Sequence, residues 1–154
     1  MRPLITFHTE AWPDALPEIE RHWPNHWREV AIHQDEIPLE PDYDEYARMH
    51  RIGALHLTVA RNRGAVVGYA TAILRRHLHY RSSLTAFFDL YYLRPANRHG
   101  MTGVRLLQHV ENAMRARGVQ RIFTGTKVTL DMSRIFNRLG YTETERLHAK
   151  LLRG

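Results

Sequence analysis

A carboxylate, a phenol and a glycine-containing turn stand close together in this chain: Asp89, Tyr91, and then Arg98-His99-Gly100-Met101-Thr102-Gly103. Asp89 is the only acid between Leu84 and Leu93, and a lone carboxylate there suits a base that takes a proton, directly or through water. Tyr91 suits an acid or an orienting hydroxyl. If residues 84–93 form a strand, Asp89 shares a face with Tyr91 and Leu93, because strand side chains repeat with period two. Each has a plainer role as well: Asp89 as partner to an arginine of 75–81, Tyr91 as core packing with a satisfied hydroxyl. The turn offers chemistry of another kind. A glycine turn that opens a helix leaves backbone N–H groups unpaired at the positive end of the helix dipole, where a diphosphate can sit. Arg98 adds a charge there, although a glycine pair can equally do no more than shape a strand-to-helix turn.

Eleven histidines raise the question of a metal. His77 and His79 share a strand face, and His22 and His26 have helical spacing. Neither pair has a third ligand at a zinc spacing, and Pro24 interrupts the second, so no metal site is expected. The chain has no cysteine, which excludes disulfides, thiolate zinc sites and a cysteine nucleophile, and fits a reducing, cytoplasmic setting.

These residues need elements to position them. Residues 14–33 carry Leu16, Ile19, Trp23, Trp27, Val30 and Ala31 at helical spacing, with Pro24 set to kink or split the helix. An acidic, proline-containing loop follows, then a short helix from Tyr43 to Ile52 stopped by Gly53. Residues 55–76 alternate as a hairpin around Arg63-Gly64, and Leu84 to Leu93 reads as a third strand ended by Arg94-Pro95. A helix with Val104, Leu107, Val110 and Met114 on one face closes at Gly118. Gln120 to Thr126 is strand-like, Asp131 to Leu139 a short helix, and Tyr141 to Leu152 a final strand. A further strand is expected at Leu4–Phe7. No repeat or linker divides the order, so residues 1–154 are read as one domain.

Leu90-Tyr91-Tyr92-Leu93-Arg94-Pro95, followed by Arg98 to Gly103 and Leu106-Leu107, resembles the strand and coenzyme-A loop of the GNAT acetyltransferase superfamily, whose pattern is R/Q-x-x-G-x-G/A. Some 35 residues later, Ser133 to Tyr141 resembles that family's short helix ending in Leu-Gly-Phe/Tyr. The stretches His79-Tyr80-Arg81-Ser82 and Gly125-Thr126-Lys127 are similar to small acetyltransferases encoded in phage and prophage genomes. The family's middle glycine falls at Met101, with Gly100 one place early. Its thiolate-protonating tyrosine aligns with Phe136, which has no proton to give, and its pantetheine-binding asparagine with Thr129.

The resemblance implies an α/β (α+β) acyl-CoA N-acyltransferase-like fold: a mixed, mostly antiparallel sheet splayed at the cofactor site and flanked by helices. It implies acetyl-CoA as cofactor and transfer of its acetyl group to an amine, with the main chain near Leu93 and Arg94 holding the acetyl oxygen. Arg98, His99, Gly100, Met101, Thr102, Gly103 and Val104 would take the diphosphate. Thr129, Ser133, Phe136 and Arg138 would line the rest of the cofactor, Arg134 and Arg138 suiting phosphates. His26 and Trp27, on helices that cover the acceptor pocket in the family, are candidates for its wall, as are His79, Tyr80 and Lys127. Each of these also has a reading as an ordinary surface or capping residue. Asp89 and Tyr91 stand as catalytic candidates.

Charge bears on partners. Lys and Arg outnumber Asp and Glu by 22 to 16, but residues 35–45 hold six acids and no base, while 61–81 hold five arginines and no acid. That division favours a charged cleft over a uniformly basic nucleic-acid surface, and a small-molecule or protein amine as acceptor. A homodimer stays open. The opening residues Met1 to His8 have no apolar signal core, and no stretch is long and apolar enough to span a membrane, so a membrane partner is not expected. The rival reading is a catalytically silent module of the same fold that contacts nucleic acid or protein, favoured by Met101 and Phe136.

Overall fold

The computed structural model describes residues 4–152. Met1–Pro3, the head of the N-terminal stretch read above, and Arg153–Gly154 lie outside the described residues. In chain order the elements are β1 (Ile5–Thr9), α1 (Trp12–Ile19), α2 (Trp23–Val30), α3 (Tyr43–Arg51), β2 (Leu55–Asn62), β3 (Ala65–His77), β4 (Tyr80–Leu93), α4 (Thr102–Ala116), β5 (Arg121–Phe123) and α5 (Ser133–Arg138).

Local chemistry sets the boundaries. The helix expected over 14–33 is split into α1 and α2 by a 3-10 turn at Glu20–His22, with Pro24 in the first turn of α2, where its missing N–H leaves no bond unmade. Asp42 caps α3 by accepting from the Glu45 amide at 2.9 Å. Between β2 and β3, Arg63 and Gly64 both take positive φ, 51° and 86°, as a two-residue primed hairpin turn requires.

The five strands lie in the order β1-β2-β3-β4-β5, antiparallel throughout except for the parallel β4–β5 pair. This is the mixed, mostly antiparallel sheet expected. On one face, Trp12 and Ile19 of α1 and Trp23 of α2 pack on Leu57, Val59, Tyr69 and Tyr92. On the other, Leu106, Leu107, Val110 and Met114 of α4 and Phe136 of α5 pack on Ala72, Leu74, Phe88 and Leu93. Each such buried side chain contributes roughly 1.5–3 kcal/mol, and together they fix α4 against the sheet from which its N-terminus projects.

Two strand expectations fail. β5 has only three residues rather than the seven of Gln120–Thr126, because the chain turns away from β4 after Phe123. Residues 141–152 form no strand: β5 is too short to offer them a ladder, and Leu147 and Leu152 stand in solvent.

Candidate functional site

The site is built on a defect in β4. Thr71 pairs with Leu90 and Ala72 with Phe88, so Asp89 is the extra residue of a bulge. The Leu90 amide, displaced from its regular partner, donates to Thr71 Oγ1 at 3.1 Å. The bulge changes the phase of the strand. Ala86 and Phe88 face α4 before it, Tyr91 and Leu93 after it, and Leu90 and Tyr92 face α1–α3. Asp89 turns toward α3, where it faces the Tyr46 hydroxyl. The expectation that Asp89 shares a face with Tyr91 and Leu93 is therefore corrected, since period two does not survive a bulge. Nor does Asp89 pair with an arginine of 75–81. Although Asp89 is exposed, loss of surrounding water holds its carboxyl above the ordinary range, with Tyr46 pulling the other way. Burial and the facing carboxylate push the Tyr46 phenol up in turn.

Beyond the bulge the sheet opens. The β4–β5 ladder runs from Thr85↔Arg121 to Phe87↔Phe123 and stops, leaving the last residues of β4 without a neighbour on that side. The Arg94 amide donates to Val67 O at 2.8 Å across the β3 side. Amides alternate along a strand, so the Leu93 N–H points the other way, into the opening. Of the two main-chain groups expected to hold an acetyl oxygen, Leu93 is free to do so and Arg94 is already engaged. Tyr91 bridges the opening, donating to Gly125 O at 2.6 Å, with its ring edge-on to Phe136 at 5.7 Å. Burial pushes its phenol up to about 12.

At the end of β4 the loop leads into α4. Gly100 takes φ +57°, a left-handed turn directly before the N-cap residue Met101, and this is how the chain accommodates a glycine one place early. No side chain caps α4, and among the described residues the amides of Gly103 and Val104 have no acceptor. A Cβ on Gly103 would stand 3.5 Å from Ile135 Cδ1 and 3.8 Å from Leu93 Cδ1, ordinary contact distances, so a methyl fits between α4, α5 and β4 while a longer side chain would have to project past them. Thr124 Oγ1, where β5 leaves β4, is buried with no hydrogen-bond partner. Unpaired amides at a helix N-terminus, a free strand amide and an orphaned hydroxyl fit a diphosphate joined to an amide-bearing arm.

Arg98 does not supply the free charge expected of it. Its Nε donates to Leu93 O at 2.7 Å and its Nη2 to Glu29 of α2 at 2.8 and 2.7 Å, with the guanidinium over the Tyr92 ring. It clamps the loop to α2. His26, on the same helix, is buried, with Nδ1 2.9 Å from Tyr69 Oη and its ring stacked on Tyr92. Burial drives its pKa down to about 4; Glu29 opposes this, while Arg98 and Lys127 add to it. His26 and Arg98 thus both pack on the Tyr92 ring; Trp27, the next residue of α2, is half-buried, and Lys127 is exposed.

The remaining candidates divide. Thr129 is exposed in the turn that Lys127 and Leu130 close. The Ser133 amide and hydroxyl both bond Asp131 Oδ1, which fixes the start of α5. Phe136 is buried in the core, and Arg134 and Arg138 project from α5 into solvent. His79 and Tyr80 lie at the β3–β4 turn, separated from Leu93 by about 40 Å of strand at about 3.3 Å per residue, and so take no part in this site. Glu29, Tyr46, Gly68 and Thr124 went unread in the sequence. Only Gly68, a glycine inside an apolar strand run, carries a sequence signal, that of a close backbone approach.

The family model for the acetyltransferase (GNAT) family matches residues 5–141. Among curated proteins, none matches this sequence. A GCN5-related N-acetyltransferase from Ralstonia eutropha JMP134 is similar in structure, with TM-score 0.78 at 16% identity over 96% of this chain and 99% of that one. An aminoglycoside acetyltransferase from an uncultured soil metagenomic sample, in complex with sisomicin, gives 0.71 at 13% over 97% of each chain. A predicted acetyltransferase from Clostridium acetobutylicum, solved with acetyl-CoA, gives 0.69 at 12% over 96% of each.

Proposed function

The chain belongs to the acetyltransferase (GNAT) family and uses acetyl-CoA, and from that premise we propose that it acetylates a primary amine by direct attack within a ternary complex. The observation that carries this reading is the opening between β4 and β5, into which the Leu93 amide points beside the uncapped N-terminus of α4. Bound acetyl-CoA supplies the activated acetyl thioester. Gly103 and Val104 would hold its diphosphate by their amides, and Thr124 Oγ1 would meet a polar group of its arm. The Leu93 N–H, fixed in direction by the sheet, would polarise the acetyl carbonyl.

Asp89 takes the proton. This residue lies on the side of α3, and loss of surrounding water holds its carboxyl above the ordinary carboxylate range, which raises its basicity toward an ammonium ion. The proton it accepts passes on to water. Tyr91 keeps its own proton at neutral pH, donated to Gly125 O at the rim of the opening, and release of that bond would let it protonate a departing thiolate in place of the hydroxyl that Phe136 lacks. The acceptor enters from the α1–α3 side, past Trp27 and the acidic stretch 35–45, which favours a small cationic amine. The structurally similar enzyme in complex with sisomicin supports that class.

The test is a panel of polyamines, aminoglycosides and lysine peptides assayed for thiol release from acetyl-CoA. Turnover with at least one amine is expected. Thiol release no faster than the buffer blank across the panel, together with an unchanged melting temperature in saturating acetyl-CoA, would overturn the proposal.

A further inference from the structure

The end of the molecule opposite the cofactor loop is basic, concave and lined with rings, and the acetyl-transfer site makes no use of it. At the β3–β4 turn a cavity of about 600 Å³ is lined by Arg76, His79, Tyr80, Arg81 and Arg121 among others. The sequence places these arginines on three segments, and the sheet gathers them: β4 begins at Tyr80, and β5 brings Arg121 alongside Thr85. Arg75 stands on the same stretch of β3. Among the described residues, no carboxylate pairs with Arg75, Arg76, Arg81 or Arg121. Four unneutralised guanidinium groups on one end of a domain make a strong local positive potential.

Their surroundings are aromatic. Arg121 lies over Phe123, with Cζ 4.6 Å from the ring centroid, and over Tyr80 at 5.5 Å; Arg75 lies over Phe87 at 4.7 Å. The rings of His77 and Tyr80 are 5.0 Å apart, and Tyr80 is 52% exposed. Arg76 Nη1 donates to Arg81 O at 2.7 Å, which bends the hairpin end around the hollow. Rings and flat guanidinium groups interleaved with free positive charge give bases a stacking surface and phosphates a counter-charge. A compact anion would need only one or two of these cations. Their spread over β3, β4 and β5 suits a chain of phosphates, and the exposed ring suits what such a chain carries between them.

We infer that this end of the protein binds single-stranded nucleic acid without sequence preference, independently of acetyl-CoA. The measurement is fluorescence anisotropy of a labelled oligothymidylate of about twelve nucleotides in about 50 mM salt, where micromolar affinity is expected. Neutralising about three phosphates gives a log–log salt slope of about −2, at about −0.7 per phosphate for single strands. Arg76→Glu/Arg81→Glu, both exposed positions, should weaken binding at least about tenfold and flatten the slope by about 1.4, while acetyl transfer and the melting temperature stay unchanged. Tyr80→Ala should weaken it about fivefold or more through lost stacking.

Any of the following outcomes overturns the inference. One is no anisotropy change, or affinity within about twofold of wild type in a folded charge-reversal variant. Thymidine monophosphate competing as well as the strand would mark a small-nucleotide pocket. Inorganic polyphosphate of equal charge binding as tightly would show that the bases are not read. Displacement by acetyl-CoA would put the strand on the α4 loop instead.

Discussion

Gly68 lies against Leu93 so closely that a Cβ on it would stand 2.5 Å from both Leu93 Cδ2 and Tyr92 O, and 3.2 Å from Leu93 Cα. The two residues are cross-strand partners, and Leu93 is the residue whose amide faces the opening. Gly68→Ala must therefore push the end of β4 toward the cofactor gap. It is expected to cost about 1–3 kcal/mol in stability through overpacking and to lower kcat as well. Thermal melting and steady-state kinetics check both, and a loss of stability with kcat intact would mean that the Leu93 amide has no role in turnover.

Asp89→Asn keeps the size of the side chain and removes its basicity. Turnover at neutral pH should fall roughly 10²-fold or more, with coenzyme A affinity and melting temperature nearly unchanged. As pH rises, more of the acceptor is already free amine, so the defect should shrink. A purely structural Asp89, acting through Tyr46, would instead give a pH-independent defect with a lower melting temperature, and a pH–rate profile of this one variant separates the two.

Gly103→Asp places a side chain and a negative charge at the start of α4, where the amides of Gly103 and Val104 are free. Coenzyme A binding by calorimetry should weaken at least about 100-fold, since charge repulsion and lost approach act together. Affinity equal to wild type would move the diphosphate elsewhere.

Tyr91 and Phe136 are in edge-on contact, so swapping the hydroxyl between them tests which position donates a proton. Tyr91→Phe should lower kcat about tenfold or more. Phe136→Tyr alone should leave the rate within a few-fold, because its ring is buried in the core rather than at the rim of the opening. A large gain from Phe136→Tyr would place the missing acid there.

Stability should fall in mild acid. Burial holds both His26 and His56 at about 4, below the ordinary 6.5, so between those values the unfolded chain binds protons that the folded chain refuses. The stabilisation from neutral histidines is complete above about pH 6.5 and is lost as pH falls toward 4, by up to about 1.4 kcal/mol per pH unit for each residue. Urea melts at pH 7.0 and pH 5.0 should show the drop, and His56→Gln should reduce it.

Periodicity and turn residues made most of this fold readable in advance. Pro24 splits the first helix, Arg63-Gly64 makes the hairpin, and Gly53 and Gly118 end α3 and α4 at left-handed residues, all as local chemistry requires. The α4 loop was legible because a glycine turn opening a helix leaves its mark in consecutive residues. What could not be read depends on partners distant in sequence. The bulge at Asp89 arises from register with β3, so period two predicted the wrong face. Arg98 reads as a free charge until Glu29, 69 residues away, is brought against it. His79 and Tyr80 read as neighbours of the acceptor because nothing local shows how far β4 extends. Strand propensity in 141–152 had no ladder to join.

The three-residue β4–β5 ladder also has a bearing on how the molecule opens. Residues from about 120 onward are tied to the sheet by those few rungs, the Tyr91–Gly125 bond and packing through Phe136, Ile135, Met132, Leu139 and Tyr141, whereas β2, β3 and β4 share long ladders interrupted only by bulges. Cooperative units with fewer rungs open at lower free energy, so the segment from about residue 120 onward should fray as a foldon while the central sheet stays closed. The cofactor gap lies on the boundary between these two units. A molecule bound across it therefore joins a less stable part of the chain to the most stable part, and its binding free energy acts partly as folding free energy for the segment beyond β5.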